Sequence, residues 1–514
     1  MTGTTFNKGD LDDIRSRGMT PEKVLMQIGA FKRAFPFSRL LRPCTVGDGI
    51  ILLEFKDIER LCRVYEKAAL SGRAMKFVPA SGAASRMFKL LLSYNGRLEN
   101  NLKPSDVHKS FLRFFEEIER FPFYEQLKSA MSGNGMDIKK AIAEGDYQAI
   151  LNHTLGPQGL DLADLPKGLI PFHRYPGSSR TPIEEHMVEA AAYVTNGEGI
   201  ATIHFTVSSE HEDIVKKHVK DVRKRYERSG LKFEFGFSNQ KNSTDTIAVD
   251  ADNNPFRDRE GRLLFRPGGH GALLQNLVDL KGDIVFIKNI DNIAPDRLKQ
   301  TTYIYKKALG GLIIELQERI FEYLKRLSKG DGDTANISEI FEFIKLKFSV
   351  TPPAGIEEAS RRKKMDYLVS RLNRPIRVCG MVRHVAEPGG GPFWVRHGDG
   401  TASIQIIETS QVDIGSEEQK RIFESSTHFN PVDLVCGMKD HSGRPFNLND
   451  YVDHDTGQIT IKSKDGKELK ALELPGLWNG SMAYWNSVFV EVPLITFNPV
   501  KTVFDLLRKE HQPE

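Results

Sequence analysis

Apolar positions change their period along this chain, and the changes mark out its parts. Up to about residue 72 they recur at helical spacing, in TPEKVLMQIGAFKRAF and FKDIERLCRVYEKAAL, with Thr20-Pro21 as an N-cap and first-turn signal. From Met75 the pattern alternates. MKFVPA, IATIHFTVS, KFEFGF and DIVFI are short runs of strand type, and apolar stretches of helical period separate them. That β-α-β-α order from Met75 to Asp291 predicts a mostly parallel sheet with helices on both faces. Two stretches carry long helical patterns, 89–164 within it and 294–371 after it, the second containing the amphipathic ALGGLIIELQERIFEYLKRL. Strand-like runs return at IRVCGMV and IQIIETSQ. The expected division is an N-terminal helical segment over 1–72 and an α/β core over 73–300 carrying a helical insertion at about 90–164. A second helical insertion over 301–370 follows, and 371–514 completes the core.

Composition narrows the classes. The 514 residues are 39% hydrophobic and 27% charged, with 72 Lys and Arg against 68 Asp and Glu. A formal charge of +4 is too balanced to point to nucleic acid, and no apolar run reaches the length needed to span a membrane. The densest basic run, KKHVKDVRKRYER, surrounds valines at helical spacing and reads as a solvated helix face. The first residues lack a signal-peptide core, and the four cysteines are far apart with no C-x-x-C pair, so a reducing cytoplasm is expected.

Two stretches carry chemistry. In RPGGHGALLQNLVDLKGDIVFIKNIDNI, Pro267 ends one element and Gly268-Gly269-His270-Gly271 gives a nearly bare backbone that can approach a flat ligand. A helix and the buried strand DIVFI follow, and Asp291 lies just past the strand, where open α/β sheets bind ligands and a carboxylate can hold Mg²⁺. Packing glycines and an Asp-Asn turn or helix cap are the plainer readings of the same residues. The second stretch is MKFVPASGAASRMFKLLL. A strand, a small-residue turn and a helix make a phosphate-cradling arrangement to which Arg86 adds a fixed charge.

Together these residues resemble the UDP-sugar pyrophosphorylases, the UDP-glucose and UDP-N-acetylglucosamine enzymes, of which this chain reads as a remote bacterial branch. PGGHG resembles their uracil-binding loop, and the strand ending in IDN their metal-binding strand end. PASGAASRM resembles the Gly-Gly-x-Gly-Thr-Arg signature, keeping Gly82 and Arg86, with Ser85 for the threonine and Ser81 and Ala84 where glycines are expected. LPKGLIP then supplies Lys167 for the family's phosphate-binding lysine. Ser238-Asn239-Gln240 places Gln240 at the uracil-reading glutamine. IQIIETSQ puts Glu408 at the first acidic position of Glu-x-Ser-Glu, with Gln411 at the second. In HFNPVD, Asn430 matches the sugar-facing asparagine and Asp433 is the weaker match for a second metal ligand. VEVPLITFNPVKTVFDLL ends on the late Phe-x-Pro-Val-Lys-Thr segment, with Lys501 on its phosphate-contacting lysine and Pro499 restricting the approach.

The resemblance implies an α/β, GT-A-like nucleotidyltransferase fold with a mostly parallel mixed sheet flanked by helices. It implies transfer from UTP to a sugar 1-phosphate with Mg²⁺, giving a UDP-sugar and pyrophosphate. Catalytic roles then fall to Arg86, Lys167 and Lys501. Nucleotide binding falls to Gly82, Ser85, Gln240, Gly268, Gly269, His270 and Gly271, sugar binding to Glu408 and Asn430, and metal binding to Asp291 and Asp433. A nucleotide- or UDP-sugar-binding protein without turnover, and a GT-A-type glycosyltransferase, are the alternatives. Neither the sugar nor the oligomeric state is named by the sequence.

Overall fold

The computed structural model describes residues 6–82, 84–98, 109–329, 334–384, 389–429 and 433–513. The expected α/β class is observed, with mostly parallel strands flanked by helices. Contacts divide the chain into two compact units. One combines residues 1–68, 240–286 and 307–492, and the other 69–239, 287–306 and 493–514.

In the first unit, strands run in the order Thr45–Val46, Gly49–Ile51, Asn486–Glu491, Ile376–Met381, Asp433–Gly437 and Ile284–Ile287. The first four pair in parallel, and Asp433–Gly437 runs antiparallel to Ile376–Met381. Every residue of Ile284–Ile287, Ile376–Met381 and Asp433–Gly437 is buried. Continuous apolar runs instead of alternation are what a sheet covered on both faces requires. A separate antiparallel sheet joins Arg39–Pro43, Gly391–Arg396, Ala402–Ile407 and Val350–Thr351. The N-terminal segment is therefore not helical throughout: three short strands lie between its helices Pro21–Arg33 and Phe55–Leu70. RLLRP and GII were hidden by the stronger helical periods around them, because strands this short carry too few positions to show an alternation.

In the second unit, Ala74–Pro79, Ile200–Thr206 and Lys232–Ser238 pair in parallel. The helix Pro182–Tyr193, opened by a Thr181 capping box and a first-turn proline, packs on Ile200–Thr206. Among the described residues of 89–164, helices run over Lys89–Leu98, Lys109–Glu116, Tyr124–Gly133, Ile138–Glu144 and Tyr147–Leu155. Phe88, Leu91, Phe111, Phe114, Phe121 and Leu151 share one core with Val500, Val503, Leu506 and Leu507 from the C-terminal segment. Burying each such side chain is worth about 1.5–3 kcal/mol, so this core holds the segment that carries Lys501.

Candidate functional site

In the second unit, three of the sequence candidates meet on one oxygen. The Asp291 Oδ2 accepts from Lys167 Nζ at 2.7 Å and from Lys501 Nζ at 3.1 Å. Each arrives on a different piece of backbone. Asp291 follows the strand Ile284–Ile287, whose extension is fixed by Lys288 and Ile290 amides donating to the Phe77 and Pro79 carbonyls. Lys167 sits in a 3₁₀ turn packed under Pro182–Tyr193; a Cβ on the adjacent Gly168 would come within 3.2 Å of the Ile183 side chain and crowd it. Lys501 is fixed through its main chain. Asp505 Oδ2 accepts the amides of Lys501 and Thr502 at 2.8 and 2.7 Å, while the Val500 amide donates to the Asp291 carbonyl and the Asn498 amide to Asn292 Oδ1.

The turn read as phosphate-cradling lies against the same place. The Lys167 amide donates to the Gly82 carbonyl, and the Ala84 amide to the Leu165 carbonyl. Ser85 and Arg86 occupy a 3₁₀ turn before the helix starts at Lys89, so the helix does not begin at the arginine. Both side chains are exposed, and Arg86 makes no ion pair with any described residue. An added Cβ at Gly82 meets nothing within 4 Å, which leaves open space over that peptide.

Electrostatics favour a charged cluster. Burial pushes the Asp291 carboxyl up, but the ammoniums of Lys167 and Lys501 outweigh it and hold the group below the ordinary carboxylate value. For Lys167 burial is the larger effect and outweighs the pull of Asp291, so its ammonium sits below the ordinary lysine value. Lys167 and Asp291 side chains are 12% and 11% exposed, whereas Lys501 is 60% exposed, so the cluster is reached from its lysine side. Among the described residues no three His, Cys, Asp or Glu side chains gather as a metal ligand set. Asp291 is a single carboxylate, which suits Mg²⁺ in a site completed by phosphate oxygens and water.

The first unit brings together a second group. His270 Nε2 lies 3.9 Å from Glu408 Oε1, and the His270 ring packs on Trp478 with centroids 4.7 Å apart. The Leu477 amide donates to His270 Nδ1, and the Leu474 amide to the Gly268 carbonyl. The glycines of this loop answer to the protein's own backbone: a Cβ at Gly271 would sit 2.0 Å from the Pro475 carbonyl oxygen and one at Gly268 2.5 Å from that of Thr244. Gly269 has φ +76°, a left-handed conformation that L side chains rarely take. The segment 473–480, ELPGLWNG, thus covers the loop and was missed in the sequence; its Pro-Gly and lone Trp were the available signal. Gln411 ties it in, accepting through Oε1 from the Glu408 amide and Asn479 Nδ2.

The remaining candidates are placed separately. Gln240 is half-buried two residues beyond the strand Lys232–Ser238. Asp433 is buried at the start of its strand opposite Gly380, in the first unit, whereas Asp291 belongs to the second. Asn430 lies outside the described residues.

A family model described as Domain of unknown function (DUF4301) matches residues 7–512. The chain belongs to the DUF4301 family. No curated protein sequence matches it. Among solved structures, the DUF4301 chain is similar to the uridine diphosphate N-acetylglucosamine pyrophosphorylase from Trypanosoma brucei in complex with an inhibitor. The identity is 12%, with 99% of this chain and 85% of that one covered, at a TM-score of 0.49. It is also similar to a mutant UDP-glucose pyrophosphorylase from Leishmania major in complex with UDP-glucose, at 11% identity, 98% and 79% coverage and a TM-score of 0.43. Likeness at this level bears on neither activity nor substrate.

Proposed function

We propose that this chain is a nucleotidyltransferase that makes a UDP-sugar and pyrophosphate from UTP and a sugar 1-phosphate. The observation that carries the reading is the meeting of Lys167 and Lys501 on Asp291, past the end of a buried strand and beside the Gly82 to Arg86 turn. The sequence resemblance implies phosphate contacts for Lys167 and Lys501 and metal binding for Asp291, residues that stand 124 and 210 positions apart from Asp291. Two ammoniums and one carboxylate leave a positive excess, and the exposed Arg86 adds to it. A triphosphate is the kind of ligand such an excess attracts.

Phosphoryl transfer asks the protein chiefly to align nucleophile and leaving group and to neutralise charge. Lys501, the exposed member, would meet the α-phosphate and the sugar phosphate. Lys167 and Arg86 would hold the departing pyrophosphate oxygens. Asp505 holds the main chain of Lys501, so its ammonium swings from a fixed root. Asp291 would serve as the protein carboxylate for Mg²⁺, which when bound neutralises charge on phosphate oxygens. The Gly268 to Gly271 backbone and Gln240 would read the base and Glu408 the sugar. Hydrogen-bonding sites of that kind discriminate by up to about 10⁴, so UTP is expected over CTP.

The test is UDP-sugar synthesis from UTP and a panel of sugar 1-phosphates with Mg²⁺, followed through released pyrophosphate, with Asp291→Asn alongside. Turnover with at least one sugar, lost in the variant, is the expected result. No turnover across the panel, with UTP still bound, contradicts it and favours a binding protein. UDP-sugar consumption without pyrophosphate exchange would instead identify a glycosyltransferase.

A further inference from the structure

A cavity of about 660 Å³ opens in the first unit at the amino ends of the parallel strands Ile376–Met381 and Asn486–Glu491. Ligands of open α/β sheets bind beyond the carboxyl ends of strands, so an occupant here would be a second ligand. Four arginines line the cavity, in two like-charged pairs. Arg371 and Arg374 lie one helical turn apart around the end of the helix Arg361–Leu372, and Arg39 faces Arg396 across an antiparallel strand pair. Like charges in such positions repel each other.

None of the four forms an ion pair with a described residue. Arg374 spends its donors on main-chain oxygens, those of Ser370 at 2.8 Å and Tyr484 at 3.2 Å, and Arg371 Nε is buried with no acceptor. Trp485, 3% exposed, also lines the cavity and its indole Nε1 has no acceptor. Burial, and then the neighbouring Arg371, bring Arg374 down to about 10. Unused donors and arginines without ion-pair partners around one space call for a ligand rich in acceptors.

The cavity is not uniformly basic, and that narrows the ligand. Asp399, Asp453 and Asp455 line it too, and carboxylates there suit hydroxyl groups. Phe37 and Tyr484, 57% and 40% exposed, add apolar faces on which a ring can rest. We propose that this cavity is a binding site for a phosphorylated sugar, with the phosphate on Arg371 and Arg374, the hydroxyls toward the aspartates and the ring against Phe37 or Tyr484. The site uses none of the residues assigned above to nucleotidyl transfer and stands whether or not that reaction is confirmed.

Calorimetric titration of the full chain with glucose 6-phosphate tests this, with glucose, inorganic phosphate and UMP as separate titrants. Glucose 6-phosphate should bind, and Arg371→Ala and Arg374→Ala should each weaken it about tenfold or more, the scale of a lost charge-assisted hydrogen bond. Lys501→Ala should leave that binding unchanged. Arg374 supports the main chain, so Arg396→Ala, an exposed position, provides a variant that keeps the fold and should still weaken binding. Glucose or phosphate alone should bind at least about tenfold more weakly than the sugar phosphate. Absence of binding, equal binding by inorganic phosphate, tighter binding by UMP, or indifference to all three arginine variants would each overturn the assignment.

Discussion

The second unit contains two clusters of the same composition, one carboxylate between two lysines, with opposite access to water. Around Glu189, Lys76 Nζ lies 2.8 Å from Oε2 and Lys288 Nζ 2.9 Å from Oε1, and all three side chains are at most 1% exposed. Around Asp291, both ammoniums share Oδ2 and one of them belongs to a lysine that is 60% exposed. A sealed cluster has to dispose of its positive excess internally. Burial, against the pull of Glu189, drives Lys76 down to about 7, toward its neutral form. An open cluster can keep its excess for an anion arriving from solution. The first arrangement ties the helix Pro182–Tyr193 to the strand Ala74–Pro79 and to Lys288; the second is the one suited to phosphate.

The largest expected effect belongs to the sealed cluster. Glu189→Gln would leave two buried ammoniums without their counter-charge and should lower unfolding free energy by about 3–5 kcal/mol, read by denaturant titration. A loss below 1 kcal/mol would mean that water reaches Glu189. Next comes Lys167→Met, which should cost about 10² to 10³ in kcat, as other preorganised charged donors do. If turnover were unaffected, Lys167 would be a structural partner of Asp291, and the contrast between the clusters would fail.

A smaller effect concerns pH. With a folded pKa near 7, below that of a free lysine, Lys76 holds fewer protons in the folded than in the unfolded chain between those two values. Stability from this group should therefore rise as pH increases from about 7 toward about 10.4, and Lys76→Met should flatten that part of the stability profile. A variant profile parallel to wild type would show that Lys76 keeps its proton. The smallest structural effect is expected for Gly82→Ala. The new methyl meets nothing, and the residue is not left-handed, so stability should change by less than about 0.5 kcal/mol. The KM for UTP should nonetheless rise if phosphate occupies the space over that peptide; an unchanged KM would remove the turn from the site.

Much of the open cluster was readable because each member sits in a local pattern with its own signal. DIVFI announces a buried strand and Asp291 its end, and Pro166-Lys167-Gly168 and Pro499-Val500-Lys501 are short stiff segments. That they converge on one oxygen is a tertiary fact, and residue spacing does not contain it. The sealed cluster was harder to see. Glu185, His186 and Glu189 read as ordinary positions of an N-capped helix, although all are buried, and the helix's low polarity elsewhere was the only hint. The Gly268 to Gly271 loop shows the reverse problem. Its bareness suggested room for a ligand, while the structure fills one side of it with 473–478, because a glycine run signals close approach without saying to what.

The contrast between the clusters rests most directly on Lys501, which is anchored by its main chain and solvent-exposed at its ammonium. The decisive measurement is pyrophosphate release by Lys501→Ala with UTP and an accepted sugar 1-phosphate, on protein shown by denaturant titration to be as stable as wild type. An exposed ion pair is worth about 1 kcal/mol or less, so stability should hold while kcat falls about 10² to 10³. Turnover within a few-fold of wild type would contradict the assignment of the Asp291 cluster to phosphate.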